Sequence, residues 1–146
     1  NWAKVPDSSA TRLGWSHHGI VASKTGDMIT YHQEDGTVLR FSAEGELKST
    51  WKGWFEDAHG ITLVEEDGIE YLWIADNGRK RLSKYDYEYP EGTPEAPIHG
   101  QVVKTTLQGE EVVSLSTPPL PIYRDADYMP TWVAVNEERN GGNGKT

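Results

Sequence analysis

The feature that most constrains the fold of this 146-residue chain is an internal repeat. Two six-residue segments share a His-Gly-Ile core, and they read Ser16-His17-His18-Gly19-Ile20-Val21 and Asp57-Ala58-His59-Gly60-Ile61-Thr62. Each core opens an apolar stretch, which is followed by an acidic or glycine-containing turn, a second apolar stretch and a polar turn. Short strands separated by such turns predict antiparallel sheets, and four such strands make one blade of a β-propeller.

Strand-like segments recur in the same order in both repeats. They are residues 19–23, 27–33, 37–42 and 46–51 in the first repeat, and residues 60–66, 71–75, 81–86 and 101–107 in the second. A third repeat begins at residues 129–135, and no segment has the pattern of an amphipathic helix. The sequence therefore predicts an all-β fold, a β-propeller segment of about two to three four-stranded antiparallel blades.

The whole chain, residues 1–146, is predicted to be one partial propeller. Its blades are expected at residues 15–51, at residues 58–107 with a proline-rich insertion at 87–100, and, as the start of a third, at residues 129–146. A second proline-rich loop covers residues 116–128. Because a propeller typically needs at least about four blades to close its ring, we expect another chain or further copies of this one to complete it.

Charge and composition exclude several classes of function. The formal net charge is −9, from 23 acidic and 14 basic residues, which argues against nucleic-acid binding because nucleic-acid binders usually present a basic face. The same charge argues against docking on an anionic membrane. Cysteine is absent, which excludes disulfides and thiolate sites. The absence of cysteine does not fix the compartment, since many extracytoplasmic bacterial proteins also lack it, and we favour an extracytoplasmic or secreted location.

The two repeated histidines, His18 and His59, are the candidate metal ligands. The innermost strand of each propeller blade lines the central channel, so equivalent positions of different blades converge there. Three histidines with one open position form a catalytic zinc site, and calcium is an alternative. In the competing interpretation each histidine packs at the start of its blade and bonds a neighbouring carbonyl. His17 competes with His18, but adjacent strand residues face opposite sides, and the repeat selects His18.

Other polar residues favour structural roles. His32 corresponds to Asp76 in the second repeat, and it either lines a pocket mouth or ends its strand. Asp76 and Asn77 are of the type that bonds the backbone of its own turn. His99 lies in a proline-rich loop and is expected to be exposed.

One repeat resembles a known family. The segments Ala58-His59-Gly60-Ile61-Thr62, Tyr71-Leu72-Trp73-Ile74-Ala75-Asp76-Asn77 and Arg81-Leu82-Ser83-Lys84-Tyr85-Asp86 together resemble one NHL repeat. Among NHL propellers, the chain is similar to the lyase domain of peptidylglycine α-amidating enzymes, a six-bladed propeller with a channel zinc held by histidines. The resemblance implies a metal-dependent lyase with His18 and His59 as zinc ligands. That family has proline before the histidine, whereas this chain has His17 and Ala58.

Two further functional hypotheses stay open. In the first, the propeller binds a ligand or a protein without catalysis. It would present aromatic side chains and the two proline-rich loops, the aromatic residues being Trp15, Tyr31, Trp54 and Trp132, since aromatic residues are enriched at interfaces. In the second, the chain is a fragment with no function of its own. The lyase hypothesis requires a small polar or peptide-derived substrate and metal that is lost when His59 is replaced.

Overall fold

The computed structural model describes residues 2–3, 19–32, 36–78, 99–123 and 128–136. Eight strands in these ranges form two four-stranded antiparallel sheets. They are β1 (Ile20–Ala22), β2 (Met28–His32), β3 (Thr37–Phe41) and β4 (Leu47–Lys52) in the first sheet, and β5 (Ala58–Glu66), β6 (Ile69–Asp76), β7 (Gln101–Thr106) and β8 (Glu111–Leu115) in the second. In these ranges the helical structure is limited to one 3₁₀ turn, Pro121–Tyr123.

Each sheet is a simple meander in which neighbouring strands follow one another in the sequence. This is the strand order of a propeller blade, so the predicted all-β architecture of antiparallel blades is confirmed. The four strands of the first blade fall within about one residue of their predicted bounds. No α-helix of the length and apolarity needed to cross a bilayer occurs in the described part of the chain.

The strand prediction for the second blade is wrong in its outer half. The strand beside β6 is β7, paired through Ile74 and Val103, whereas residues 81–86 were expected there. Residues 101–107 were predicted as the fourth strand, but β8 takes that position. The reason is burial, because Val102, Val103, Lys104 and Thr105 are all buried and an interior strand must bury both of its faces. Residues 81–86 themselves lie outside the described ranges.

The two sheets share one hydrophobic core. Its members are Ile29, Tyr31, Val38, Phe55, Ala58, Ile61, Leu72, Ile74 and Val103. On β2, Ile29 and Tyr31 face this core while the alternating positions point away, as the period of a strand requires. Phe55, in the connection between the sheets, contacts the ring of Tyr31 with centroids 5.6 Å apart. The blades are therefore packed face to face.

A charged cluster closes one end of the first sheet. Buried Asp27 accepts hydrogen bonds from Lys48 Nζ at 2.8 Å, Arg40 Nε at 2.8 Å and Thr25 Oγ1 at 3.1 Å. The Lys48 ammonium holds the pKa of the Asp27 carboxyl below its usual value, and Arg40 and Thr25 act in the same direction against the burial that raises it. The carboxylate just before β2 is thus tied to strands β3 and β4.

This cluster predicts a pH dependence of stability. Because the pKa of Asp27 is lower in the folded than in the unfolded chain, its contribution is complete above the unfolded pKa and is lost as the pH falls through the folded pKa. We expect Asp27→Asn to lower the melting temperature by several degrees at pH 7 and to flatten the acid decline below about pH 4. Thermal melts across that pH window measure both effects, and parallel curves for the two proteins would contradict the assignment.

Candidate functional site

His59 occupies an irregular position at the start of β5. The register pairs Ala58 with Asp76 and Gly60 with Ala75, so His59 is the extra residue of a β-bulge. A bulge interrupts the ladder and re-aims the side chain beside it, and bulges are frequent next to functional sites. The His59 residue is half-buried. The sequence pattern placed His59 at the opening of the strand, but nothing in it indicated the bulge.

The opening of the first sheet lies directly beside this bulge. The Gly19 amide donates to the His59 carbonyl at 3.2 Å, across the two sheets. A Cβ at Gly19 would lie 2.9 Å from Ile61 Cγ2, so the two strands meet where no side chain fits between them. The innermost strands of the two blades are therefore neighbours, as the repeat predicts for strands around a common axis.

A third segment packs on the other side of β5. Thr62 Oγ1 donates to the Val133 carbonyl at 2.7 Å, and a Cβ at Gly60 would lie 2.7 Å from the Thr131 carbonyl oxygen. Residues 129–135 were predicted to open a third blade. The described segment that contains them, residues 128–136, takes the place of an inner strand although it has no regular strand structure. Strand β5 thus lies between Gly19 and the Thr131–Val133 region.

Asp76 anchors the chain that leads into His59. Its Oδ1 accepts from the amides of Asp57 at 2.8 Å and Gly78 at 3.0 Å. Its Oδ2 accepts from the Glu56 amide at 3.2 Å and from Gln101 Nε2 at 3.1 Å. The bond from the Gly78 amide confirms the prediction that the Asp76 side chain bonds the backbone of its own turn. The other three bonds fix the connection before β5 and the start of β7 against the end of β6.

Several predicted site residues lie outside the described ranges. These are His17, His18 and Trp15, so the pairing of His18 with His59 stays a prediction. Gly19, however, directly follows His18 in the chain, and its position beside His59 is described. Within the described ranges, no three histidine, aspartate or glutamate side chains come close enough together to hold a metal ion.

The other predicted residues have mixed outcomes. His32 has the register position of Asp76, because Ile20 pairs with Thr30 as Ile61 pairs with Ile74. It is half-buried and helps to line a pocket of about 380 Å³ on the outward face of the first sheet. His99 is exposed, as predicted. Tyr31 was expected to present a binding surface, and this is wrong because its side chain is part of the core between the sheets.

Sequence reasoning missed the buried Lys104. Its ammonium pairs with the Glu66 carboxylate and lies 4.0 Å from the centre of the Tyr71 ring, so its charge is satisfied by an anion and an aromatic face. In the first sheet the equivalent register position is held by Arg40, which pairs with Asp27. The position of Lys104 in an apolar strand could have indicated a buried ion pair, since a buried cation requires a partner.

No protein-family model matches the chain, and the searches of curated proteins and of solved structures gave no match either. The likeness to NHL propellers is therefore a prediction from the sequence segments alone. What the structure adds is the arrangement of antiparallel blades and the neighbouring positions of their opening strands.

Proposed function

We propose that the chain belongs to an NHL-type propeller with a metal site in its central channel, in which His59 and His18 bind zinc. The observation that carries this proposal is the hydrogen bond between the Gly19 amide and the His59 carbonyl. It brings the opening strands of two consecutive blades together at the repeated His-Gly position. Two histidines at this position of adjacent blades would approach the channel at the same level.

The geometry around His59 suits a ligand held by a rigid scaffold. The bulge frees its carbonyl from the β5–β6 ladder, so that this carbonyl bonds the neighbouring blade instead. Asp76 fixes the two residues before Ala58 through their amides. By the sequence repeat, Thr131 in the third segment corresponds to His18 and His59 and supplies no imidazole. A third histidine therefore comes from a further blade, in another copy or another chain.

A zinc ion held in this way would supply Lewis-acid chemistry. With three protein ligands, the metal would supply the ability to polarise a substrate carbonyl or to lower the pKa of water. The lyase-like activity that we propose acts on a small polar or peptide-derived substrate. In this chain, His59 would hold the metal from β5, and the carboxylate of Asp76 keeps the backbone before it in place.

The zinc assignment is tested by titrating zinc into metal-free protein. We expect His59→Ala and His18→Ala each to weaken zinc binding by at least about tenfold, because even the loss of a residue that supports a ligand costs about 10–100-fold. His99→Ala is the matched control, since His99 is exposed and should leave the affinity unchanged. Equal zinc affinity of His59→Ala and the unsubstituted protein would contradict the proposal.

One observation favours the alternative of a non-catalytic binding propeller. Trp132 is 61% exposed and packs against Gly60, one residue from His59. An exposed indole at this position would present an apolar face to a ligand, as aromatic residues do at interfaces. In this alternative, replacing Trp132 abolishes ligand capture while replacing His59 leaves it intact.

A further inference from the structure

The outer edge of the second sheet is open to solvent. Strand β8 is the last strand of this sheet, at the edge opposite β5 and His59. Within the described ranges its backbone pairs with β7 alone, so the other side of the strand keeps amides and carbonyls without a partner. Two of its apolar residues, Val112 and Leu115, are 46% and 49% exposed. A strand edge of this kind is a template on which another strand can pair.

The first sheet has an equivalent edge strand, β4, and lysines protect it. Each of the two strands contains a bulge near its start, and the bulge residue is Lys48 in β4 and Val112 in β8. A second lysine, Lys52, ends β4, whereas Ser116 follows β8 at the equivalent place. Lysine on an edge strand opposes pairing with a further strand, because its charge would lose water. The edge of the second sheet lacks this protection at both positions.

The valine at the bulge of β8 has no role within its own sheet. In the first sheet Lys48 binds the Asp27 carboxylate, and by register the second sheet has Tyr71 in the place of Asp27. This difference explains why residue 112 is not a lysine, but any polar residue would suit an exposed position. Val112 is instead followed by Val113. Consecutive valines on an open edge are typical of a strand that pairs with another strand.

The sequence of β8 is self-complementary in an antiparallel pair centred on Val113. In that register Val113 faces the same residue of the other copy, and Val112 faces Ser114. Glu111 faces Leu115, so the two Glu111 carboxylates lie at opposite ends of the pair. Facing β-branched residues stabilise antiparallel strands, whereas facing like charges would destabilise them. The strand therefore suits a second copy of itself.

We infer that two copies of this chain pair through β8, antiparallel and about a two-fold axis, and so join their second sheets edge to edge. Such an interface is isologous, because each copy contributes the same strand. The two four-stranded sheets become one sheet of eight strands. Since β8 and His59 lie at opposite edges of the sheet, the pairing does not depend on zinc and leaves the proposed channel site unchanged.

Sedimentation equilibrium of the metal-free chain in chelator tests the pairing separately from zinc binding. We expect a dimer to predominate at about 100 µM, since a contact of one strand from each copy is small. About 1 M salt is used because two copies with a formal net charge of −9 repel one another, and this salt shortens the screening length to about 3 Å.

Val112→Lys is the variant that should separate the copies. It puts on β8 the residue type of the equivalent bulge in β4, and we expect it to weaken dimerisation at least tenfold with unchanged circular dichroism. Ile69→Lys is the matched control, because Ile69 is 53% exposed on β6 of the same sheet and the change in charge is the same. This control should dimerise like the unsubstituted chain.

Disulfide crosslinking tests the strand and its register. The chain has no cysteine, so a single introduced cysteine can form a disulfide only between two copies. We expect Val113→Cys to crosslink under mild oxidation, because facing residues of antiparallel strands have Cβ atoms about 4.5–5.5 Å apart. Ser49→Cys, at the equivalent position of β4, is the control and should crosslink at least tenfold more slowly.

Four outcomes would overturn pairing through β8. They are a monomeric unsubstituted chain, a Val112→Lys variant that dimerises as well as the unsubstituted chain, an Ile69→Lys variant that dissociates as Val112→Lys does, and equal rates of crosslinking for Val113→Cys and Ser49→Cys.

Discussion

Phe55→Ala is expected to lower the free energy of unfolding by about 3–5 kcal/mol, the usual cost of removing a buried aromatic side chain. Phe55 is buried between the two sheets and its ring contacts those of Tyr31 and Trp51, with centroids 5.6 Å and 6.1 Å apart. Its removal leaves a cavity at the place where the first sheet, the connection and the second sheet meet. Urea unfolding with linear extrapolation measures the change.

Trp54→Ala is the control for this prediction. Trp54 is the neighbouring aromatic residue and contacts the same ring at 5.2 Å, but its side chain is exposed. We expect a loss of no more than about 1 kcal/mol, because a surface side chain buries little area. If the two variants lost equal stability, the packing of Phe55 between the two sheets would not be a main source of stability.

Asp76→Asn is expected to lower the free energy of unfolding by about 2–4 kcal/mol. An amide keeps one acceptor oxygen where the carboxylate has two, so two of the four donors lose their acceptor, and each buried donor left unpaired costs about 1–3 kcal/mol. The connection before β5 would loosen, and zinc affinity at His59 should fall by about tenfold.

The matched control is Asp67→Asn, at the exposed tip of the β5–β6 hairpin. Asp67 has a φ of 51°, a conformation that asparagine adopts as readily as aspartate. We expect both its stability and its zinc affinity to remain unchanged. Chemical denaturation and zinc titration of the two variants compare the effects. An Asp76→Asn protein with full stability and full zinc affinity would show that this carboxylate does not position His59.

Local sequence patterns were sufficient for the first blade because each of its strands is bounded by a turn. Asp27 follows Lys24-Thr25-Gly26, and Gly36 and Gly45 mark the next two turns, so the strand bounds are close to the predicted ones. The equivalence of His32 and Asp76 also follows from the repeat and is confirmed by the register. The strand bounds and this equivalence can be predicted because they depend on residues that are close together in the chain.

Features that depend on distant residues could not be obtained in this way. Residues 81–86 and 101–107 both alternate like strands, and only packing against β6 selects the second for the third position. The sequence around Tyr31 does not indicate that its side chain is buried, because the residues that cover it belong to the second sheet. The bulge at His59 requires the partner strand to be known, since it is a mismatch between two registers.

The most direct test of the channel site is X-ray absorption spectroscopy at the zinc edge on zinc-loaded protein. We predict that the atoms bound directly to zinc include imidazole nitrogens at about 2.0–2.1 Å. Sulfur is not expected, since the chain has no cysteine. The imidazole signal should be weaker in His59→Ala and unchanged in His99→Ala. A shell of oxygen atoms alone, or an unaltered imidazole signal in His59→Ala, would contradict the assignment of His59 as a ligand.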